Sequence, residues 1–318
     1  MLPNVLPSTA EHIPVLADEV RELLAISPGE TIVDATFGAG GHSRLLAREL
    51  GGSGKLVAID RDPAAKGFFD RFKAATPGVD VRFLRGDFAV VLTQLAANDI
   101  GADAILLDLG ISSMQIDRPE RGFSYATDAP LDMRMDPSGE VTAATIVNTW
   151  DEKELARIFR RFGEERYAGP IARAIVSRRA ERAFFRTGDL VDVIKLAIPT
   201  PARFGEGHPA KRVFQALRIA VNDELGQLEA ALPAAVEMLR PGGRLAVISF
   251  HSLEDRIVKQ FMVERAKGCT CPPDFPVCVC GKQPELRLLT RKPVRPSAAE
   301  LDLNPRSASS RLRVAVKG

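Results

Sequence analysis

Three short apolar runs in this sequence each end in acids or glycines, which is where an open α/β sheet presents chemistry to a ligand. The first ends in Asp34-Ala35-Thr36-Phe37-Gly38-Ala39-Gly40-Gly41. Glycines at such a place let the backbone take positive φ and come close to a bound molecule. The pyrophosphate fingerprint G-x-G-x-x-G is absent, because the third glycine falls directly after Gly40. The second run ends in Ile59-Asp60-Arg61-Asp62, where Asp60 can accept hydrogen bonds from a ribose diol. The third leads into Gly86-Asp87-Phe88, a polar and aromatic set suited to flank an adenine. Asp60 or Asp87 taken alone reads as well as a helix cap. Ligand chemistry at successive strand ends points instead to a nucleoside-bearing cofactor. A fourth apolar run ends at Asp108-Leu109-Gly110, which brings a further carboxylate to the same crevice.

A separate constellation is made by Cys269, Cys271, Cys278 and Cys280, which are all the cysteines of the chain. A secreted disulfide framework spreads its cysteines through the fold, so this cluster reads as a reduced loop or a small metal knuckle. Four thiolates satisfy a closed tetrahedral zinc site. The Cys-x-Cys pairs are tighter than the usual zinc spacing, so both readings stand.

The elements that position these residues follow from the periodicity. Strands are expected at Thr31–Ala35, Lys55–Ile59, Val81–Leu84 and Ala104–Leu107, alternating with helices at His42–Leu50, Pro63–Ala75 and Val90–Ala97, after a short first helix over 17–25. Such alternation with short loops specifies a doubly wound, mostly parallel sheet. It stops after Gln115. Residues 116–140 are polar and rich in Asp, Arg, Pro and Met, and 150–196 read as helices with starts at Asp151 and Thr187. One long helix over Arg212–Leu239, a strand over Leu245–Phe250 and a final edge strand over Arg311–Val316 then return to the core. The expected division is a core over 1–115, a helical insert over 116–210, and a second core part over 211–318.

The 318 residues suffice for a large buried core, and 45% hydrophobic with 26% charged residues is an ordinary globular balance. There is no apolar run near membrane-spanning length, and the opening MLPNVLPSTA does not have the pattern of a signal peptide, so a cytoplasmic protein is expected. The net charge is only +2, yet residues 151–186 hold ten Lys/Arg against six Asp/Glu, and 282–317 hold nine against three. Basic stretches on a near-neutral chain suit a polyanion, although a single charge run is most often a solvated face. Arg157, Arg160 and Arg161 share one helix face, and with Arg178, Arg179 and Arg182 they can grip phosphates.

Several longer motifs resemble the MraW family of small-subunit rRNA cytosine-N4 methyltransferases. They are Asp34–Ser43, Ile59–Pro63, Leu106–Ser113, Glu120–Ser124, Pro130–Asp136, Gly163–Arg166, Ile248–Arg256 and Asn304–Arg311, and the likeness covers almost the whole chain. The resemblance implies an α/β, Rossmann-like class I methyltransferase core with an inserted helical domain. It implies S-adenosylmethionine as cofactor, contacted by Gly40, Gly41, His42, Asp60, Phe88, Asp108 and Gln115. It implies methylation of the exocyclic N4 of a cytidine in the decoding region of 16S rRNA, within an assembled or nearly assembled small subunit, and leaves a homodimer open. The four-cysteine segment is the departure, since many relatives lack it.

Cytosine N4 is a poor nucleophile because its lone pair is delocalised into the ring, so a hydrogen-bond acceptor beside it is wanted. Asp108 is the candidate, with a cofactor or orienting role first and proton acceptance second. The target base must also be unpaired and stacked. Phe123, Tyr125 and Phe250 are candidate stackers, and His251 follows Phe250 closely enough to reach the site. A dehydrogenase or a non-catalytic RNA-binding module are the competing readings.

Overall fold

The computed structural model describes residues 14–203, 208–268, 271 and 280–318. Five parallel strands form the body of one sheet: β1 (Thr31–Asp34), β2 (Lys55–Asp60), β3 (Asp80–Arg85), β4 (Ala102–Asp108) and β5 (Leu239–Ser249). Two further strands, β6 (Leu286–Leu288) and β7 (Arg311–Lys317), complete the order β3-β2-β1-β4-β5-β7-β6. β7 runs antiparallel to both of its neighbours. This order, in which β2 and β3 are added on one side of β1 and β4 on the other, is that of a doubly wound α/β core, and the switch point opens a crevice at the carboxyl ends of β1 and β4.

The strands are buried on both faces because side chains alternate across each of them. Val33, Val57, Ile105 and Val247 face one layer, while Ile32, Leu56, Leu106 and Ile248 face the other. The first layer is covered by α4 (Phe88–Ala97), α12 (Glu224–Met238) and α13 (Ser252–Arg265). The second is covered by α1 (Ala17–Leu24), α2 (Gly41–Glu49) and α3 (Ala65–Ala74). The short α5 (Ser113–Ile116) leaves the end of β4.

Beyond α5 the chain builds a third cluster from α6 (Ala143–Thr149), α7 (Glu152–Gly163), α8 (Ala168–Glu181), α9 (Thr187–Ala197) and α11 (Lys211–Asn222), with the one-turn α10 (Thr200–Arg203) between the last two. The helix starts expected at Asp151 and Thr187 are both present. Asp151 caps α7 by accepting from Glu154 N at 2.8 Å. Thr187 opens α9 and ties it to the preceding segment, accepting from Ala129 N at 2.9 Å. The polar stretch before α6 is less solvated than its composition suggests, because Phe123, Leu131, Met133 and Met135 lie buried in this cluster.

Two expectations are corrected. The single helix over Arg212–Leu239 is two helices, α11 and α12, joined at Asp223, whose left-handed φ of 47° ends the first. Asn222 enforces the break by bonding the insert backbone, donating to Met133 O and accepting from Met135 N, both at 2.8 Å. As a result α11 packs into the insert's hydrophobic cluster through Val213, Phe214 and Leu217, while α12 packs on the sheet. The final strand is not at the edge either. β6 lies outside β7, and at three residues it is too short to show a period-two pattern. The last helix, α14 (Ala298–Leu303), follows β6.

Candidate active site

A cavity of about 270 Å³ opens at the carboxyl ends of β1, β2 and β4. Gly41, His42, Asp60, Phe88, Asp108 and Gln115 all line it, and Gly40, between the lining Ala39 and Gly41, does not. Gly40 is required by both space and backbone: its φ is 78°, and a Cβ there would lie 2.7 Å from the Phe37 ring. Gly38, at φ 55°, turns its N–H toward Asp60 Oδ2 at 2.7 Å.

Asp60 is pinned between two backbone amides, since its other oxygen accepts from Asp62 N at 2.8 Å. Burial pushes its carboxyl up to about 6, against the lowering effect of those two bonds. Asp34 supports the loop from beneath, accepting from Ser43 Oγ at 2.6 Å, and burial raises it as well. His42 lies between two acceptors. Nε2 is 2.9 Å from Val15 O, and Nδ1 is 3.5 Å from Asp108 Oδ2. Burial works against its charged form, but the bond and charge of Asp108, with the charge of Asp34, outweigh it and raise the imidazole above its usual value.

Asp108 is held by its backbone, its N–H donating to Thr36 Oγ1 at 2.6 Å. Its Oδ1 is buried with no partner, and so is Ser112 Oγ on the same wall. Buried acceptors are rarely left unpaired, so these two atoms are where a ligand's donors belong. The glycine cradle, the Asp60 carboxylate and the orphaned Asp108 oxygen fit a molecule carrying a ribose and an amino group, which S-adenosylmethionine is.

Gln115 has a different part. Its Oε1 accepts from Ser112 N at 3.2 Å and its Nε2 donates to Asp62 Oδ2 at 3.0 Å, so its side chain ties the β4 loop to the β2 loop. Of the candidate stackers, Phe250 alone lines the cavity, and its ring lies 3.5 Å from the Cβ that a larger residue would carry at Gly110. Phe123 is buried in the insert cluster, and Tyr125 stacks on His208 with centroids 4.6 Å apart. His251 does not reach this cavity. The arginine set divides too: Arg157, Arg160 and Arg161 are exposed, whereas Arg179 is occupied by Val147 O and Trp150 O at 2.8 and 2.7 Å.

The sequence reading missed the groups that join core and insert. Arg61 donates to Asp87 Oδ1 at 2.8 Å and to Asn222 O at 3.1 Å. Asp62 is buried and accepts from Arg121 Nη1 at 3.0 Å as well as from Gln115. Arg218 on α11 makes a two-pronged bond to Glu224 on α12, 2.8 Å at each prong, and both residues line the cavity beside Phe250. The second acid of Ile59–Pro63 was a visible hint, but its partners lie 53 and 59 residues away. Of the four cysteines, Cys269 and Cys278 lie outside the described residues, and Cys271 and Cys280 flank positions 272–279, which are also outside them.

Fold and site together define a methyltransferase of the class I type. The chain belongs to the MraW methylase family, whose model matches residues 9–318. It is 54% identical to the ribosomal RNA small subunit methyltransferase H of Heliobacterium modesticaldum over 96% of this chain and 98% of that protein. It is 54% identical to the protein of the same name from Symbiobacterium thermophilum, covering 96% of each, and 51% identical to that from Geobacter sulfurreducens. A solved putative methyltransferase from Streptococcus mutans in complex with SAH aligns over 96% of this chain and all of that one, at 13% identity and a TM-score of 0.43. Among the described residues no helix is long and apolar enough to cross a membrane.

Proposed function

We propose that this protein methylates the exocyclic N4 of a cytidine in the decoding region of 16S rRNA, using S-adenosylmethionine, in the cytoplasm and on an assembled or nearly assembled small subunit. The observation that carries this reading is the cavity itself. It sets a ribose-type cradle, Asp60 with Gly38 and Gly41, in the same space as the unpaired Asp108 oxygen and the Phe250 ring. The names of the relatives add the substrate class.

In this reading Gly41, His42, Asp60, Phe88 and Asp108 hold the cofactor, which supplies an electrophilic methyl group. Gln115 fixes the two loops between which it sits. His42 orients Asp108, and Asp108 Oδ1 accepts an amine N–H. Phe250 offers a face for a flipped base, whose exocyclic amine would be held toward the methyl donor, and Asp108 Oδ1 is the acceptor that would take the proton the amine gives up. Positioning supplies most of the rate, and acceptance of that proton adds roughly 10²- to 10⁴-fold.

Mapping of methylated nucleosides by mass spectrometry, in rRNA from a strain lacking the protein, tests this. N4-methylation of one small-subunit cytidine should disappear and return with a plasmid copy. An unchanged nucleoside map rejects the assignment.

A further inference from the structure

Beside Phe250 the cavity has a polar wall made by Arg218 of α11, Glu224 of α12 and Glu254 of α13. Glu254 Oε2 accepts from Phe250 N at 2.8 Å and from His251 N at 3.2 Å, so the wall and the loop that carries the Phe250 ring are held together. Arg218 turns the side of its guanidinium to Glu224: Nε donates to one carboxylate oxygen and Nη2 to the other, each at 2.8 Å. Burial works against the charge of the guanidinium, but Glu224, by its charge and hydrogen bonds, and Glu254, by its charge, outweigh it.

A guanidinium carries five N–H donors in one plane, and Glu224 takes two of them. Nη1 has no acceptor among the described residues, and Nη2 keeps a second hydrogen. The end of the fork, one N–H from each of these nitrogens, is therefore unmatched in a side chain that is only 14% exposed. Donors so far buried are rarely left unpaired, so this edge belongs to the acceptors of a ligand. Two carboxylates stand against one cation on this wall, which disfavours an anion and suits a pair of neutral acceptors.

Asp108 Oδ1 supplies the opposite sign in the same cavity, as a buried acceptor without a partner. The Watson–Crick edge of cytosine has that alternation, an amino donor at N4 followed by acceptors at N3 and O2. Uracil and guanine reverse the first two positions, and adenine has only a C–H at the third.

We propose that Arg218 selects the target base, the end of its fork donating to N3 and O2 of a cytosine whose amine faces Asp108 and whose ring lies on Phe250. The proposal rests on cytidine being the substrate. Because Glu224 already fixes the guanidinium, little side-chain freedom is lost when the base arrives. A base without the matching acceptors is rejected because it leaves these donors unpaired.

The test uses the full-length protein and small subunits reassembled on 16S rRNA that carries either cytidine or 3-deazacytidine at the methylated position. The analogue keeps the amine and O2 and has a C–H in place of N3. The ratio of kcat/KM for the two subunits is compared between enzymes, which cancels the intrinsic reactivity of each amine. Arg218→Met removes the donors but leaves Glu224 unpaired. Arg218→Met combined with Glu224→Met removes both partners, an exchange that buried ion pairs often tolerate without loss of stability. In both variants the preference for cytidine should shrink by about tenfold, the size expected for a hydrogen bond from a charged donor. S-adenosylmethionine affinity, measured by calorimetry, should stay at the wild-type value, which reports an intact cofactor site. A wild-type ratio in the double variant overturns the proposal. If that ratio holds while S-adenosylmethionine affinity falls, Arg218 serves the cofactor instead, and the proposal is overturned as well. Failure of the cytidine assignment looks different: wild-type protein would then leave the cytidine-bearing subunit unmethylated.

Discussion

At the strand ends, Asp34, Asp60 and Asp108 are each fixed by groups from the loops after β1 and β2 and from the first turn of α2, at 2.6 to 3.2 Å from Ser43, Thr36, Gly38 and Asp62. In the insert, Arg157, Arg160 and Arg161 stand in solvent, and only Arg157 has an acid beside it, Glu154 at 3.3 Å. The two regions suit different ligands. Buried, prearranged acceptors select one small molecule by geometry, and they cost little reorganisation when it binds. Exposed cations attract a polyanion over distance, and salt weakens them. Arg61 and Asp62 join the two, since both follow Asp60 at the end of β2 and both bond residues beyond α5.

The largest test of that comparison is the joint. Asp62→Ala leaves the buried Arg121 guanidinium without its carboxylate and releases Gln115. Breaking a buried pair from one side costs about 3–5 kcal/mol, so urea denaturation should show a loss of that size, with weaker binding of both ligands. A change below about 1 kcal/mol would mean that core and insert hold together without this seam.

Next comes Asp60. Its replacement by Ala should weaken S-adenosylmethionine by about 1.5–3 kcal/mol, the range for hydrogen bonds to a charged group, while RNA affinity stays put. Equal cofactor affinity for both proteins would remove Asp60 from the site. The raised carboxyl adds a pH signature. Hydroxyl donors favour the ionised form, so protons compete with the cofactor, and affinity should fall as pH drops below about 6. The fall approaches tenfold per pH unit if the protonated form does not bind. A flat profile from pH 7 to 5 contradicts it.

Reversal of Arg157, Arg160 and Arg161 to Glu probes the other region. RNA binding should weaken and its salt slope should flatten by as much as about three, one for each phosphate that these arginines neutralise. Loss of cofactor affinity with RNA binding intact would invert the proposed division of labour.

The smallest effect is expected outside both regions. Elemental analysis of protein purified without chelator separates the two readings of Cys269, Cys271, Cys278 and Cys280: about one equivalent of zinc, lost in Cys271→Ser with little change in methyl transfer, marks a closed structural site, since four protein ligands leave no open position, and a zinc-free protein marks a reduced loop. Less than about a tenth of an equivalent rules the metal out.

Much of the cofactor end could be read from the chain because its partners are local. A strand ending in an acid, a glycine that must take φ 78°, and a loop of six residues fall within one window of sequence. The alternation of β1 to β4 with helices was legible from periodicity, and the long motifs carried the family. What only the tertiary structure decided depends on groups far apart in the chain: that Phe250 rather than Tyr125 faces the cavity, that Asn222 breaks a continuous helical pattern by bonding a segment 87 to 89 residues earlier, and that β6 covers the edge of β7. Hydrophobic periodicity reports which face of an element is buried. The element it is buried against is set by packing between distant segments, which no local pattern encodes.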